Sequence, residues 1–279
     1  MKKIGLALGS GGARGLAHIV ILQAFEELGI KPAIVSGTSI GAIIGAAYCT
    51  GLSSKEIKDN LDELLHTEHA KDWDIYKNKD YLKMLQFVDI GLRQGGIIRG
   101  DKFLAHYKEV LGVSEFEDLQ IPLKVVATNY YSREQSVFDE GELFAPIKAS
   151  YSVPGLFSPM KINNNFYVDG GMVNPVPFDI IDHLVDITVA VDVLAPGSKP
   201  ATDETPPLFE TFFSSFQIMQ TSIFNTKLKL SQPTILIKTD IQNIRMMEFV
   251  KSNRIFKAAA KYKDELKKKL EKELNISKT

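Results

Sequence analysis

Short apolar runs alternate with longer amphipathic stretches along most of the chain, and this alternation constrains the fold more than any other feature. Strands are predicted at residues 3–8, 33–36, 123–127, 135–138, 160–162, 166–168, 187–193 and 234–238. Helices are predicted after each of two glycine-rich turns, ending near residues 28 and 49, and at residues 53–65, 101–111 and 248–274. The pattern predicts an α/β fold of three layers, in which helices cover both faces of a mostly parallel central sheet.

Composition narrows the class of protein and its surroundings. The net charge of −1 gives no reason to expect a nucleic-acid partner. No apolar stretch approaches the roughly 20 residues of a membrane-spanning helix, so any membrane contact is expected to be peripheral. Cys49 is the only cysteine and cannot form an internal disulfide, which predicts a cytoplasmic location. Without repeats or a linker, residues 1–279 are predicted to form one domain.

Residues 37–41 read Gly-Thr-Ser-Ile-Gly and lie between a predicted strand and a predicted helix. Gly37 and Gly41 allow a sharp turn that exposes the Ser39 hydroxyl at the carboxyl end of the strand. The N-terminus of the following helix stabilises negative charge there. This context favours a catalytic serine over a chance turn of small residues.

A second glycine-rich loop, residues 9–15, follows the first predicted strand. A dinucleotide-binding loop needs a glycine where Arg14 stands, and a Walker A loop needs a Gly-Lys-Ser/Thr sequence that this loop lacks. An oxyanion hole built from backbone N–H groups of Gly11, Gly12, Ala13 and Arg14 remains, supported by Gly15. For the Arg14 side chain we weigh loop ordering or attraction of anionic head groups against a surface ion pair.

A nucleophilic serine needs a base, and Asp169 is the best candidate. It ends a predicted strand, and Gly170 and Gly171 allow a tight turn that projects its carboxylate from the sheet edge. A partly desolvated carboxylate within hydrogen-bonding distance can accept the serine proton directly. None of the histidines stands in a comparable context: His18, His66, His69, His106 and His183.

Together these motifs resemble the patatin-like phospholipase family, most closely its compact bacterial members. The matching features are the loop at residues 10–15, the serine Ser39, the Asp169-Gly-Gly turn and the segment at residues 149–159. The resemblance extends over residues 3–193, while residues 208–279 carry no matching motif and are expected to complete the domain. Ser10 departs from the family, because many relatives have glycine there.

The resemblance implies a Ser39–Asp169 dyad that cleaves carboxylic esters of lipids through an acyl-enzyme, as a phospholipase A, lysophospholipase or esterase. It implies no metal and no cofactor. The expected partner is a lipid or another acyl ester, with peripheral membrane contact.

Three other functions compete with this prediction. An α/β-hydrolase usually places several strands before its serine and a histidine late in the chain, whereas here the serine is residue 39 and the last histidine is His183. An acyl-carrier transacylase usually has histidine where this chain has Thr38, although acyl transfer to an acceptor other than water stays open. A catalytically silent lipid-binding or regulatory protein would keep the pocket and lose the dyad; the presence of both Ser39 and Asp169 argues against this function but leaves it open.

Three other segments bear on access to the site. Residues 208–230 form a helical pattern with six apolar residues on one face, which favours a core-facing helix over a lid or membrane-contacting helix: Phe209, Phe212, Phe213, Phe216, Ile223 and Phe224. Residues 85–100 are either a flap or a loop, and the proline-rich residues 195–207 predict a mobile loop.

Overall fold

The computed structural model describes residues 2–66, 100–194, 205 and 208–275. The strands are β1 (Ile4–Leu8), β2 (Ile34–Thr38), β3 (Leu123–Asn129), β4 (Gln135–Phe138), β5 (Met160–Ile162), β6 (Asn165–Asp169), β7 (Ile187–Asp192) and β8 (Ile235–Lys238). The α-helices are α1 (Ala17–Glu27), α2 (Ile40–Cys49), α3 (Ser54–His66), α4 (Asp101–Leu111), α5 (Phe144–Tyr151), α6 (Leu208–Leu230) and α7 (Ser252–Leu274).

The strands form one mixed sheet in the order β5-β6-β3-β2-β1-β7-β8, and β4 also pairs with β3. The pairs β3–β2, β2–β1, β1–β7 and β7–β8 are parallel, whereas β4, β5 and β6 form antiparallel pairs at one side. In register, Leu8 of β1 lies beside Gly37 of β2. This arrangement confirms the predicted mostly parallel sheet.

Helices cover both faces of the sheet because its central strands are apolar on both sides. On one face, alternate residues such as Leu6 and Leu8 pack in a large cluster with α1, α2 and α7. On the other face, Ala7 and Ala190 pack with Phe224 of α6 and with the segment at residues 176–181. The three-layer α/β/α architecture predicted from the sequence is therefore confirmed.

The C-terminal part of the described chain adds to the same sheet and core. Strand β8 pairs with β7, and α7 packs along α1. The last helix has an exposed charged side, as predicted, and an apolar side that is buried: Ile255, Ala259, Tyr262, Leu266 and Leu270. It begins at Ser252 rather than 248, because a 3₁₀ turn occupies residues 249–251.

Two further comparisons concern individual segments. Helix α5 was not predicted from the sequence. Its residues are buried on most sides of the helix, so the sequence shows no amphipathic stripe. The predictions for residues 85–99, and for nearly all of residues 195–207, lie outside the described residues. Within the described part of the chain, none of the helices combines the length and the apolar character needed to cross a bilayer.

Candidate active site

Ser39 occupies the turn between the end of β2 and the start of α2. Its backbone angles, φ 56° and ψ −122°, lie in a region that residues other than glycine rarely adopt. The residue is buried, and its N–H donates to Ser150 Oγ at 2.8 Å. The structure thus holds the serine in a strained turn at a helix N-terminus, the geometry expected of a nucleophile elbow.

The glycine-rich loop lies directly against this turn. A Cβ atom on Gly41 would come within 2.1 Å of the Leu8 carbonyl oxygen, so only glycine permits α2 to start this close to the end of β1. Gly15 likewise approaches the Ile40 side chain. The two motifs, which are separated in sequence, therefore meet at the carboxyl ends of β1 and β2.

Hydrogen bonds hold the loop in place and determine which of its N–H groups are available. Ser10 N–H donates to the Pro175 carbonyl at 2.8 Å, and Ala13 N–H donates to the Met246 carbonyl at 2.7 Å. Because the Ala13 N–H already has an acceptor, it is not free to bind an oxyanion. The prediction that included Ala13 in the oxyanion hole is therefore wrong. The backbone N–H groups of Gly11 and Gly12 donate to no backbone carbonyl of the described residues.

Arg14 is buried and does not form a surface ion pair, so that alternative is wrong. Its Nη1 donates to the Ile244 carbonyl at 3.5 Å, while its Nε and Nη2 have no partner among the described residues. Burial lowers the pKa of Arg14, and the nearby charge of Asp192 opposes this effect. These contacts agree with a role in ordering the loop.

Asp169 ends β6, and its backbone is held on both sides. Its N–H donates to the Ser152 carbonyl at 2.9 Å, and its carbonyl accepts from Thr128 Oγ1 at 2.8 Å. The side chain is buried: Oδ1 accepts from Gly171 N–H at 2.7 Å, and Oδ2 has no hydrogen-bond partner among the described residues. This leaves one carboxylate oxygen available for a proton.

Burial raises the pKa of Asp169 to about 7, while the Ser39 hydroxyl and the Gly171 N–H lower it. The Ser39 hydroxyl therefore lies close enough to act on the carboxyl, although the two groups form no hydrogen bond of normal geometry. Bonds between catalytic groups are often long or bent until substrate binds. A carboxyl with a pKa near 7 is well matched to a general base at neutral pH.

The end of α5 contacts both candidate catalytic residues, a role that the sequence prediction missed. Ser150 accepts from the N–H of Ser39, and the carbonyl of Ser152 accepts from the N–H of Asp169. Both serines lie in the family-like segment at residues 149–159, which was the only signal for them. This segment fixes the backbones of Ser39 and Asp169 relative to each other.

A second missed residue is Gln220 of α6. Its Nε2 donates to Ser10 Oγ at 2.9 Å, and both side chains are buried. Ser10 is the position at which this chain departs from many relatives. No sequence motif marks Gln220, so only the folded structure reveals that α6 reaches the glycine-rich loop.

The histidines take no part in this arrangement where the structure describes their side chains. His18 is buried, its Nε2 donates to the Gly9 carbonyl at 2.8 Å, and burial lowers its pKa to about 4. It is therefore neutral at neutral pH and packs beneath the loop. His106 lies on α4, and His183 is exposed. His66 ends α3, and His69 lies outside the described residues.

Comparisons with known proteins agree with this architecture. The sequence pattern of the family described as patatin-like phospholipase matches residues 6–182. An uncharacterised NTE family protein of Mycobacterium tuberculosis is 33% identical over 205 residues, covering 73% of this chain and 52% of that protein. Neuropathy target esterase sws of Drosophila melanogaster is 32% identical over 205 residues, covering 72% of this chain and 13% of that protein.

Patatin-like phospholipase domain-containing protein 6 of Homo sapiens is 32% identical over 204 residues, covering 72% of this chain and 14% of that protein. The chain thus spans about half the length of the mycobacterial protein and a small part of the animal proteins. The crystal structure of VipD from Legionella pneumophila covers 96% of this chain and 66% of VipD, with a TM-score of 0.53 at 16% identity, and supports the fold alone. From the family match and these relatives, the chain belongs to the patatin-like phospholipase family.

Proposed function

We propose that the protein is a lipid acyl hydrolase of the phospholipase A, lysophospholipase or esterase type, with Ser39 as nucleophile and Asp169 as base. The observation that carries this proposal is a buried carboxyl beside a serine held at positive φ, with one carboxyl oxygen that has no hydrogen-bond partner in the described part of the chain. The phospholipase name of the family and the esterase name of the fly relative support ester cleavage.

In the proposed first step, Ser39 Oγ attacks the ester carbonyl and its proton passes to Oδ2 of ionised Asp169. The carbonyl oxygen becomes an oxyanion near the N–H groups of Gly11 and Gly12, and the N-terminus of α2 adds favourable potential. The intermediate collapses when Asp169 gives the proton to the leaving alcohol. Water then attacks the acyl-enzyme with Asp169 again as base, which releases the acid and restores Ser39.

The proposal is tested by turnover of a short-chain nitrophenyl ester and of a phospholipid panel. Ser39→Ala and Asp169→Ala should each abolish turnover, and the double variant should be little worse than either single variant because the two groups act as a unit. Ser132→Ala and Asp59→Ala change exposed residues of the same types and should leave turnover unchanged. Full activity in Asp169→Ala contradicts the dyad.

Product analysis separates hydrolysis from the other two functions that the sequence leaves open. Free fatty acid as the product supports hydrolysis, whereas an acyl group found on an added alcohol or lysolipid identifies an acyltransferase that uses the same serine. Lipid binding without turnover in the wild type identifies a catalytically silent lipid-binding protein. The cytoplasmic location stays a prediction from the single cysteine.

For peripheral membrane contact, we propose that α6 supplies the contact surface. Residues 211–226 contain no charged residue, and Ile218 and Met219 are 68% and 54% exposed. Phe212, also partly exposed, lies beside Gly155 in the segment that holds the candidate dyad. An exposed helix face with apolar and uncharged polar side chains next to the site suits the surface of a lipid aggregate.

A further inference from the structure

Gln220 is a polar residue on an otherwise apolar buried face. The other buried side chains of α6, among those that the structure describes, belong to Phe213, Phe216 and Phe224. A buried amide is destabilising unless it is hydrogen-bonded, so its presence there needs a physical reason. Packing against the sheet does not supply that reason, since an apolar residue would serve equally well.

The contacts of the Gln220 amide point to the turn after Asp169. A Cβ atom on Gly171 would lie 2.0 Å from Gln220 Nε2, 2.9 Å from Asp169 Oδ1 and 3.0 Å from Ser10 Oγ. The amide therefore occupies the space directly over Gly171. The hydrogen bond to Ser10 Oγ fixes the amide, and Ser10 is itself fixed by its bond to Pro175.

We propose that Gln220 is a positioning residue: its amide, anchored on Ser10, holds Gly171 in the orientation that donates to Asp169. This inference rests on the proposed function, because it assigns the bond a role in the reaction. Gln220 and Ser10 form a matched pair that links α6 to the glycine-rich loop and to the candidate base. Neither residue is proposed to contact the reacting atoms.

Loss of the bond between Gln220 and Ser10 should weaken the bond from Gly171 N–H to Asp169 Oδ1. The Gly171 N–H favours the ionised form of Asp169, as does the Ser39 hydroxyl, while burial opposes it. When Gln220 is shortened, Gly171 gains room to turn away from Oδ1 and the ionised form loses a donor. The pKa of Asp169 then rises, and activity near neutral pH falls.

The test is a pH profile of ester hydrolysis for wild type, Gln220→Ala, Ser10→Gly and the double variant. We expect both single variants to shift the acidic limb to higher pH and to lower kcat at pH 7 by about tenfold with little change in KM. The double variant should be no worse than Gln220→Ala, because both changes break one linkage. Gln217→Ala, on the same helix and half-buried, is the control and should match wild type.

A second measurement does not depend on turnover and protects the test against misfolding or an inactive wild type. The ¹³C resonance of the Asp169 carboxyl is titrated in folded wild type, Gln220→Ala and Ser10→Gly. A higher midpoint in both variants supports the inference. An unchanged midpoint overturns it even where activity falls, since the loss is then structural. An inactive wild type with the shifted midpoints counts against the proposed hydrolase, and it leaves only the positioning of the Asp169 carboxyl by Gln220, without a role in a reaction.

Discussion

At the residue scale, the candidate site is defined by hydrogen bonds between residues far apart in sequence. Ser39 and Asp169 could be predicted because glycines lie on both sides of Ser39 and directly after Asp169, and because strands precede both. For Ser150 the only signal was the family-like segment at residues 149–159, and Gln220 had none, since a single polar residue inside a helix carries no pattern that reveals what it contacts. Their roles depend on tertiary distances, which the sequence does not contain.

Replacing Ser150 by alanine should reduce activity, because Ser150 Oγ accepts the hydrogen bond from the backbone N–H of Ser39. The change leaves the buried N–H of Ser39 without its acceptor, an arrangement that costs about 1–3 kcal/mol. We expect kcat for ester hydrolysis to fall by about tenfold or more. Ser152→Ala is the control, because that hydroxyl donates only to the nearby Lys148 carbonyl within α5. Equal activity in Ser150→Ala and wild type contradicts the supporting role.

The buried carboxyl of Asp169 should make stability depend on pH in a definite direction. Its pKa rises from 3.8 to about 7 on folding, so the protonated form is favoured in the folded state. Its contribution to stability is therefore full below pH 3.8 and is lost as pH rises towards about 7. Asp169→Asn keeps an acceptor for Gly171 but cannot ionise, and so avoids this loss.

Urea unfolding at pH 5 and pH 8 tests that direction. The stability advantage of Asp169→Asn over wild type should be larger at pH 8, by at most a few kcal/mol at about 1.4 kcal/mol per unit of pKa. Asp59→Asn, a change in an exposed pair on α3, should show nearly the same difference from wild type at both values. An advantage for Asp169→Asn that does not grow with pH means that the carboxyl is not destabilised by burial.

At the element scale, helix ends marked by glycine and helices with one apolar face were predicted well. Helix α4 spans the predicted residues because Gly100 and Gly112, both in the left-handed region, flank it. Helix α5 escaped prediction because it is short and buried on most sides. For α6 the favoured core-facing prediction is only partly confirmed: Phe213, Phe216 and Phe224 are buried, whereas Phe212 is 49% exposed.

The exposed side of α6 should determine binding to lipid surfaces but not the chemistry. Ile218→Asp and Met219→Asp place a charge on the uncharged face, and we expect each to weaken binding to zwitterionic phosphatidylcholine vesicles by about tenfold. Hydrolysis of a short-chain soluble ester should stay at the wild-type rate. Leu184→Asp, at another exposed apolar position, is the control and should retain vesicle binding. Full vesicle binding by both α6 variants places the contact elsewhere.

At the scale of the whole molecule, the two ends of the described chain lie together. Helix α7 packs on α1, and Lys263 and Lys267 both donate to Glu27 at 2.6 and 2.7 Å. The sequence predicted the helix and its charged surface. It did not reveal which helix receives the apolar side, because that choice depends on the order of strands in the sheet. The contact between α1 and α7 allows a direct test of the prediction that residues 1–279 form one domain.

Leu266 of α7 is fully buried in the main core, and Leu266→Ala should destabilise the protein by about 2–5 kcal/mol. If the chain is one cooperative unit, loss of helical circular dichroism and loss of ester hydrolysis should occur at the same, lower urea concentration. Lys268→Ala is the surface control and should leave the midpoint within error of wild type. Separate transitions for the two signals argue against one domain.

Covalent labelling with a fluorophosphonate measures whether Asp169 activates Ser39, because the reagent reacts with an activated serine hydroxyl. Intact-protein mass is recorded over time at pH 8 for wild type, Ser39→Ala and Asp169→Ala, followed by peptide mapping. We expect one adduct on wild type, mapped to Ser39, no adduct on Ser39→Ala and labelling of Asp169→Ala that is slower by orders of magnitude. Labelling of Asp169→Ala at the wild-type rate, or an adduct on another residue, would mean that Asp169 does not activate Ser39.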